Sequence, residues 1–142
     1  MKKEITLFEM FAGIGSQYKA LKNISKKLNF SVKSLGTCDF YIDAIVSYLS
    51  IHYGILEPEN KLTKEEMLDK LNKYLFSADS KKPVNKKYFM RMPENKLRNL
   101  FSYLYSYVDN DYMSERYGFR ERERERERAV QTLLLITLYL KA

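Results

Sequence analysis

Two glycines lie in Phe11-Ala12-Gly13-Ile14-Gly15. Before them is an apolar run, Ile5-Thr6-Leu7-Phe8, that reads as a strand, and after them Ser16-Gln17-Tyr18-Lys19-Ala20-Leu21 reads as a helix. Glycines at such a strand-to-helix turn let a cofactor press against bare backbone. A second apolar run, Phe30 to Leu35, ends near Cys38-Asp39, and that carboxylate falls 24 positions after Gly15. In nucleotide-type folds an acidic residue about 20 positions beyond the glycines meets a ribose diol. An adenosyl cofactor suits the pair, because it has a ribose and no pyrophosphate to require a third glycine. Blander readings stay open at this point: a tight turn for Gly13 and Gly15, a helix cap for Asp39, and core packing for Phe40.

The elements that must position these residues follow from periodicity. Residues 4–8 and 30–36 read as strands and 15–28 as the helix between them. Asp43 to Tyr53 carries Ala44, Ile45, Val46, Leu49, Ile51 and Tyr53 at helical spacing, with Asp43 as a cap and Gly54 as a stop. Strand–helix–strand–helix is the opening of a parallel α/β sheet. Further on, Thr63-Lys64-Glu65-Glu66 is a capping-box pattern ahead of Met67, Leu68, Leu71, Tyr74 and Leu75. Residues 77–87 form a polar, lysine-rich loop around Pro83. Pro93-Glu94 then opens a helical run through Leu97, Leu100, Phe101, Leu104, Tyr105 and Val108, which Asp109-Asn110-Asp111 interrupts.

Composition bounds the rest. A chain of 142 residues with 45% hydrophobic content has room for one globular core. A net charge of +7 favours nucleic acid or anionic surfaces. Twelve tyrosines and eight phenylalanines suit either base stacking or core packing. Cys38 is the single cysteine, which rules out an intrachain disulfide and a cysteine metal cluster and fits a reducing cytoplasm. Met1-Lys2-Lys3-Glu4 has no long apolar stretch behind its lysines, so no signal peptide is expected. Ala129 to Leu140 is too short to cross about 30 Å of hydrocarbon, and no membrane partner is expected.

Arg120 to Arg128 alternates Arg and Glu without exception. On a helix, i and i+4 would carry like charges and i and i+3 opposite ones, so a few tenths of a kcal/mol oppose a few tenths. Five arginines against four glutamates also make a poor polyanion contact. At the level of DNA, a repeated GA dinucleotide would encode this alternation and would be prone to slippage that shifts the frame. Residues 129–142 match nothing upstream, as a shifted frame would produce. Mixed codons across the tract would end that idea.

With these motifs placed, residues 5–108 resemble the N-terminal part of bacterial cytosine-5 DNA methyltransferases, most closely the CpG-methylating type. The likeness rests on an ordered series: Leu7-Phe8-Glu9-Met10-Phe11-Ala12-Gly13-Ile14-Gly15-Ser16-Gln17 with Lys19-Ala20-Leu21, then Asp39-Phe40-Tyr41-Ile42-Asp43-Ala44-Ile45-Val46 with Ser47-Tyr48 and Ile51-His52. Glu65-Glu66-Met67 and Ser80-Lys81-Lys82-Pro83-Val84 continue it. The resemblance implies a Rossmann-like class I methyltransferase fold with an incomplete sheet, and S-adenosylmethionine as cofactor. It implies that the backbone of Phe11, Ala12, Gly13, Ile14 and Gly15 lines the methionine end, and that Ser16 and Gln17 also bind the cofactor. Asp39 stands where the family has a ribose-binding glutamate, and Phe40 where it has an adenine-stacking tryptophan. DNA is the implied partner of the complete enzyme, alone or within a restriction–modification system.

The family's reaction also needs a Pro-Cys thiolate to attack cytosine C6, and the sequence contains no Pro-Cys. The family's Glu-Asn-Val carboxylate, paired-arginine motif and target-recognition region are absent too. No catalytic residue and no metal ligand is assigned. Cys38 reads as a small buried hydrophobe and His52 as structural. Residues 1–108 are expected to be the cofactor-binding part and 109–142 the low-complexity tract and divergent tail. The chain is expected to be a truncated, frameshifted or split methyltransferase, inactive alone unless a complementing fragment supplies the rest. The alternative is a non-enzymatic nucleic-acid-binding or interaction protein that reuses the half-fold. A third outcome is an aggregation-prone product.

Overall fold

The computed structural model describes residues 2–118; the Arg-Glu tract and the tail lie outside them. Chain order is β1 (Lys3–Met10), α1 (Ser16–Ser25), β2 (Phe30–Cys38), α2 (Ile42–Tyr53), α3 (Lys64–Leu71), α4 (Lys87–Met90), α5 (Glu94–Val108) and α6 (Asn110–Tyr117). Strands β1 and β2 pair in parallel from Lys3↔Phe30 to Met10↔Cys38, with α1 as the crossover between them. This is the opening of a Rossmann-like α/β fold, and its sheet is incomplete: two strands, each with one edge unpaired among the described residues.

The register slips once. Leu7 faces Ser34 but Phe8 faces Gly36, so Leu35 is the extra residue of a bulge. Gly36, at φ 132°, adopts a backbone that side chains disfavour. The bulge resets β2 just before Thr37-Cys38-Asp39, the strand end that faces the glycine turn.

The core lies mainly among the helices. Met67 and Leu71 of α3, Ile45 and Leu49 of α2, and Leu97, Phe101 and Leu104 of α5 are fully buried at i, i+3 and i+4 spacings. Burying each such side chain stabilises the fold by about 1.5–3 kcal/mol. Phe76 and Phe89 meet edge to face at 5.9 Å and pin the 77–93 segment against this core. By contrast, α1 buries no residue fully, and Ile24 and Leu28 are exposed.

The Thr63 box forms as expected: the Thr63 hydroxyl accepts from Glu66 N and the Glu66 carboxylate accepts from Thr63 N. The Asp43 cap does not form. Tyr41 occupies the N-cap position without a side-chain cap bond, and Asp43 accepts the Tyr41 hydroxyl instead. It is Asp39 that meets the amides leading into α2. After the break at Asp109 a further helix, α6, begins, capped by the Asp109 carboxylate on Tyr112 N at 2.9 Å. Met113 of α6 is 1% exposed, so this turn of chain belongs to the core. No helix among the described residues is long and apolar enough to cross a membrane.

Candidate functional site

The C-terminal ends of two parallel strands, with the loops that leave them, are where open α/β sheets bind ligands. Here β1 ends in the glycine turn and β2 ends in Asp39. Ala12 N donates to Cys38 O at 3.1 Å and extends the strand pairing by one bond. Gly13 N then donates to Asp39 Oδ2 at 2.9 Å. Asp39 is 7% exposed, and its Oδ1 accepts Phe40 N at 2.8 Å and Tyr41 N at 2.9 Å. Three backbone amides thus hold one carboxylate. Of the roughly four lone-pair sites on a carboxylate, these amides take three.

The two glycines are needed for different reasons. A Cβ on Gly15 would lie 2.9 Å from both His52 Nε2 and Tyr48 of α2, so only a bare backbone fits there. A Cβ on Gly13 would meet nothing within 4 Å. One glycine is packed from below and the other faces open space, and both adopt positive φ, 54° at Gly13 and 74° at Gly15. His52 secures the turn: its Nε2 lies 3.3 Å from Ile14 O and its ring packs on Tyr48 at 4.3 Å.

Gly15 N closes the turn on Ala12 O at 2.8 Å, and Gly15 is the N-cap of α1 without a side-chain cap bond. Ser16 and Gln17 follow, exposed, in its first turn. Phe11, at φ 53° and 64% exposed, and Ile14, 53% exposed, stand out from the turn, while Phe40 is half-buried at the head of α2. All nine residues expected at the site, 11–17 and 39–40, therefore gather at one end of the strand pair.

One further residue belongs with them. Glu9, the penultimate residue of β1, is 3% exposed; its Oε1 accepts Tyr18 N at 3.1 Å and does the capping that Gly15 cannot. Its Oε2 is buried with no hydrogen-bond partner. A buried carboxylate oxygen without a donor is costly, and it marks a place for a cationic or donor group. The sequence showed Glu9 within its motif, but nothing in its spacing separated it from an ordinary strand residue.

Cys38 lies beside these groups with its thiol inward. It is 2% exposed, and burial, with the Asp39 carboxylate adding to it, pushes its pKa up to about 11. At neutral pH it is a thiol, not a thiolate. No group of three or more His, Cys, Asp or Glu suited to a metal ion occurs among the described residues.

Over 103 residues, 70% of the chain, the sequence is 35% identical to the orphan methyltransferase M.SssI of Spiroplasma monobiae. Over 80 residues, 54% of the chain, it is 38% identical to the type II methyltransferase M2.ScrFI of Lactococcus lactis subsp. cremoris. The chain is similar in sequence to methyltransferases. The matches span 26% and 21% of those two relatives, so the chain spans about a quarter or less of the length of the relatives it matches. No family model matches the chain.

The residues present fit an S-adenosylmethionine group on three counts. The Gly13 side of the turn is open, Asp39 keeps one acceptor site, and Glu9 Oε2 lacks a donor. Asp39 is held inward by its three amides.

Proposed function

We propose that this chain is the S-adenosylmethionine-binding part of a DNA cytosine-5 methyltransferase. The observation that carries the reading is the 2.9 Å bond from Gly13 N to Asp39, which puts the glycine turn and the acidic strand end at one mouth. In this reading the backbone of Phe11 to Gly15, with Ser16 and Gln17, lies along the methionine moiety. Asp39 accepts a ribose hydroxyl on its remaining lone pair, and Phe40 packs against the adenine. Glu9 Oε2 accepts the α-ammonium, the one cationic donor of that moiety able to hydrogen-bond. When bound, the cofactor supplies an electrophilic methyl group; residues 1–108 orient it and shield it from water on the strand side.

Methyl transfer to cytosine needs a thiolate nucleophile and a pocket for a flipped base. Cys38 is buried and protonated, and the sequence has no Pro-Cys. The nucleophile is therefore assigned to other residues, on a complementing polypeptide or in another reading frame of the same gene across the Arg-Glu tract. Residues 1–108 act as the cofactor part, and the single free thiol suits a reducing cytoplasm.

A methyl-transfer assay with CpG DNA and labelled cofactor tests the division. The chain alone is expected to transfer nothing, and addition of the family's missing part is expected to restore transfer. Robust transfer by the chain alone would refute it. Nucleic-acid binding that ignores S-adenosylmethionine, with no cofactor binding at all, would favour the non-enzymatic alternative.

A further inference from the structure

The chain's positive charge is segregated. Between residues 80 and 96 lie Lys81, Lys82, Lys86, Lys87, Arg91 and Lys96 against one carboxylate, Glu94, a net of +5. Residues 1–118 together carry 19 basic and 14 acidic side chains, also a net of +5. The remainder of that span sums to zero, with a second basic stretch, five lysines and no carboxylate, at residues 10–38; the 80–96 stretch is the denser of the two, with the same net charge in fewer residues.

All six cations are exposed, and none is ion-paired among the described residues. The acids nearest in sequence are engaged elsewhere. Asp79 Oδ1 accepts Lys81 N at 2.9 Å, Lys82 N at 3.0 Å and the Ser77 hydroxyl at 3.1 Å. Glu94 holds the Arg98 guanidinium, with Nε at 2.9 Å.

The stretch is also fixed in place. Ser77 Oγ donates to Lys82 O at 2.7 Å, Val84 N donates to Phe76 O at 2.8 Å, and Phe89 is 1% exposed in the core. Tyr88, Arg91, Pro93 and Lys96 line an open cleft of about 360 Å³. The stretch is tied directly to the candidate site: Ser77 N donates to Phe40 O at 2.8 Å and Ile42 N donates to Ser77 O at 2.9 Å.

We propose that residues 80–96 form a phosphate-contact surface for double-stranded DNA, set beside the cofactor mouth. The proposal rests on the methyltransferase reading for its choice of DNA among polyanions. The surface chemistry narrows it further. Single-strand binders need exposed aromatic platforms, whereas Phe89 is buried and Tyr88 half-buried. A lipid surface would call for an apolar wedge, and Met90 is the single exposed large apolar side chain in the stretch. Contacts of this kind position a duplex without reading its sequence.

The test is fluorescence anisotropy of a duplex with the full chain between about 50 and 200 mM salt, the range over which counterion release is read. Lys81, Lys82, Lys86 and Lys87 are changed together to Ala. The control changes the same number of charges on α1: Lys19, Lys22, Lys26 and Lys27 to Ala. Circular dichroism confirms that both fold. The expected result is that the first variant lowers the slope of log K against log salt by about 3–4 and weakens binding at least about tenfold. The α1 variant should leave both nearly unchanged. Equal loss in the two variants, no loss in either, or no duplex binding by the parent chain overturns the proposal. Tighter binding to single-stranded RNA or to anionic phosphatidylserine vesicles, lost in the same variant, overturns the assignment to duplex DNA. S-Adenosylmethionine titration of the same proteins separates the two claims. Cofactor binding with an unmoved salt slope sinks the surface alone; a moved slope without cofactor binding sinks the cofactor reading alone.

Discussion

Glu9 on β1 accepts the amide of Tyr18, in the first turn of α1, at 3.1 Å, while its other carboxylate oxygen stays buried and unmatched. The two oxygens thus have separable jobs. Glu9→Ala removes both and is expected to lower stability by about 0.5–2 kcal/mol, the usual loss for a helix cap. Glu9→Gln keeps a carbonyl oxygen for Tyr18 but discards the charge. It is expected to hold most of the stability while weakening S-adenosylmethionine binding by about tenfold or more. Thermal unfolding alongside titration calorimetry checks this, and equal cofactor affinity in Glu9→Gln and the parent would remove Glu9 from the ligand's surroundings.

Gly13 and Gly15 are expected to fail in opposite ways when changed to Ala. Both pay the left-handed backbone cost of about 1–2 kcal/mol. Only at Gly15 does the new methyl group also collide with His52 and Tyr48, at 2.9 Å. Gly15→Ala should therefore unfold at a clearly lower temperature than Gly13→Ala. Gly13→Ala should stay folded and lose cofactor affinity, since its methyl group points into the open side of the turn. The reverse order of melting temperatures would contradict the packing described.

Much of this site was legible in the residues themselves. The glycine turn, the acidic strand end and the Thr63 box are local patterns whose chemistry depends on neighbours in sequence. Four features were not. The bulge at Leu35 reflects a choice of strand register, which local pattern leaves free. Asp43 looked like a cap because it stands at the head of an apolar helix, but Asp39 reached the entering amides first. The start of α6 was masked because Asp109 both ends α5 and caps the next helix, so a run of Asp-Asn-Asp reads as a simple interruption. The value of Glu9 depends on which groups fold around it, information that no spacing carries.

The Cys38 thiol should resist alkylation. At 2% exposure, with its pKa pushed up to about 11, almost none of it is thiolate at pH 7.5. Iodoacetamide is expected to modify the native chain far more slowly than the chain in denaturant, with a rise in native rate only well above pH 9. Rapid native labelling at neutral pH would contradict the burial and reopen Cys38 as a nucleophile.

Acid should loosen the α6 clasp. Glu59 is 2% exposed, receives the Tyr112 hydroxyl at 2.5 Å and the amides of Lys61 and Leu62 at 2.7 and 3.2 Å, and lies 3.7 Å from Arg116 Nε. Burial alone would raise its pKa; these partners outweigh it and hold the carboxyl below its ordinary 4.5. A carboxylate with a lowered folded pKa adds stability that is complete above the ordinary value and is lost as pH falls below it through the folded one. Glu59→Ala should cost about 1–3 kcal/mol at pH 7 and flatten that acid loss. Denaturant melts of both proteins between pH 7 and pH 3 check it; parallel curves would show that Glu59 is not the group responsible.

The proposed adenosyl ligand would lie across the strand ends between Gly13 and Asp39. Titration calorimetry of S-adenosylmethionine into the full chain, with Asp39→Ala in parallel and folding verified for both, checks this. Saturable binding at one site is expected, weakened by about 1–3 kcal/mol when the Asp39 carboxylate is removed. A folded chain that takes up no S-adenosylmethionine, or binds it equally well without that carboxylate, would rule the ligand out of this place.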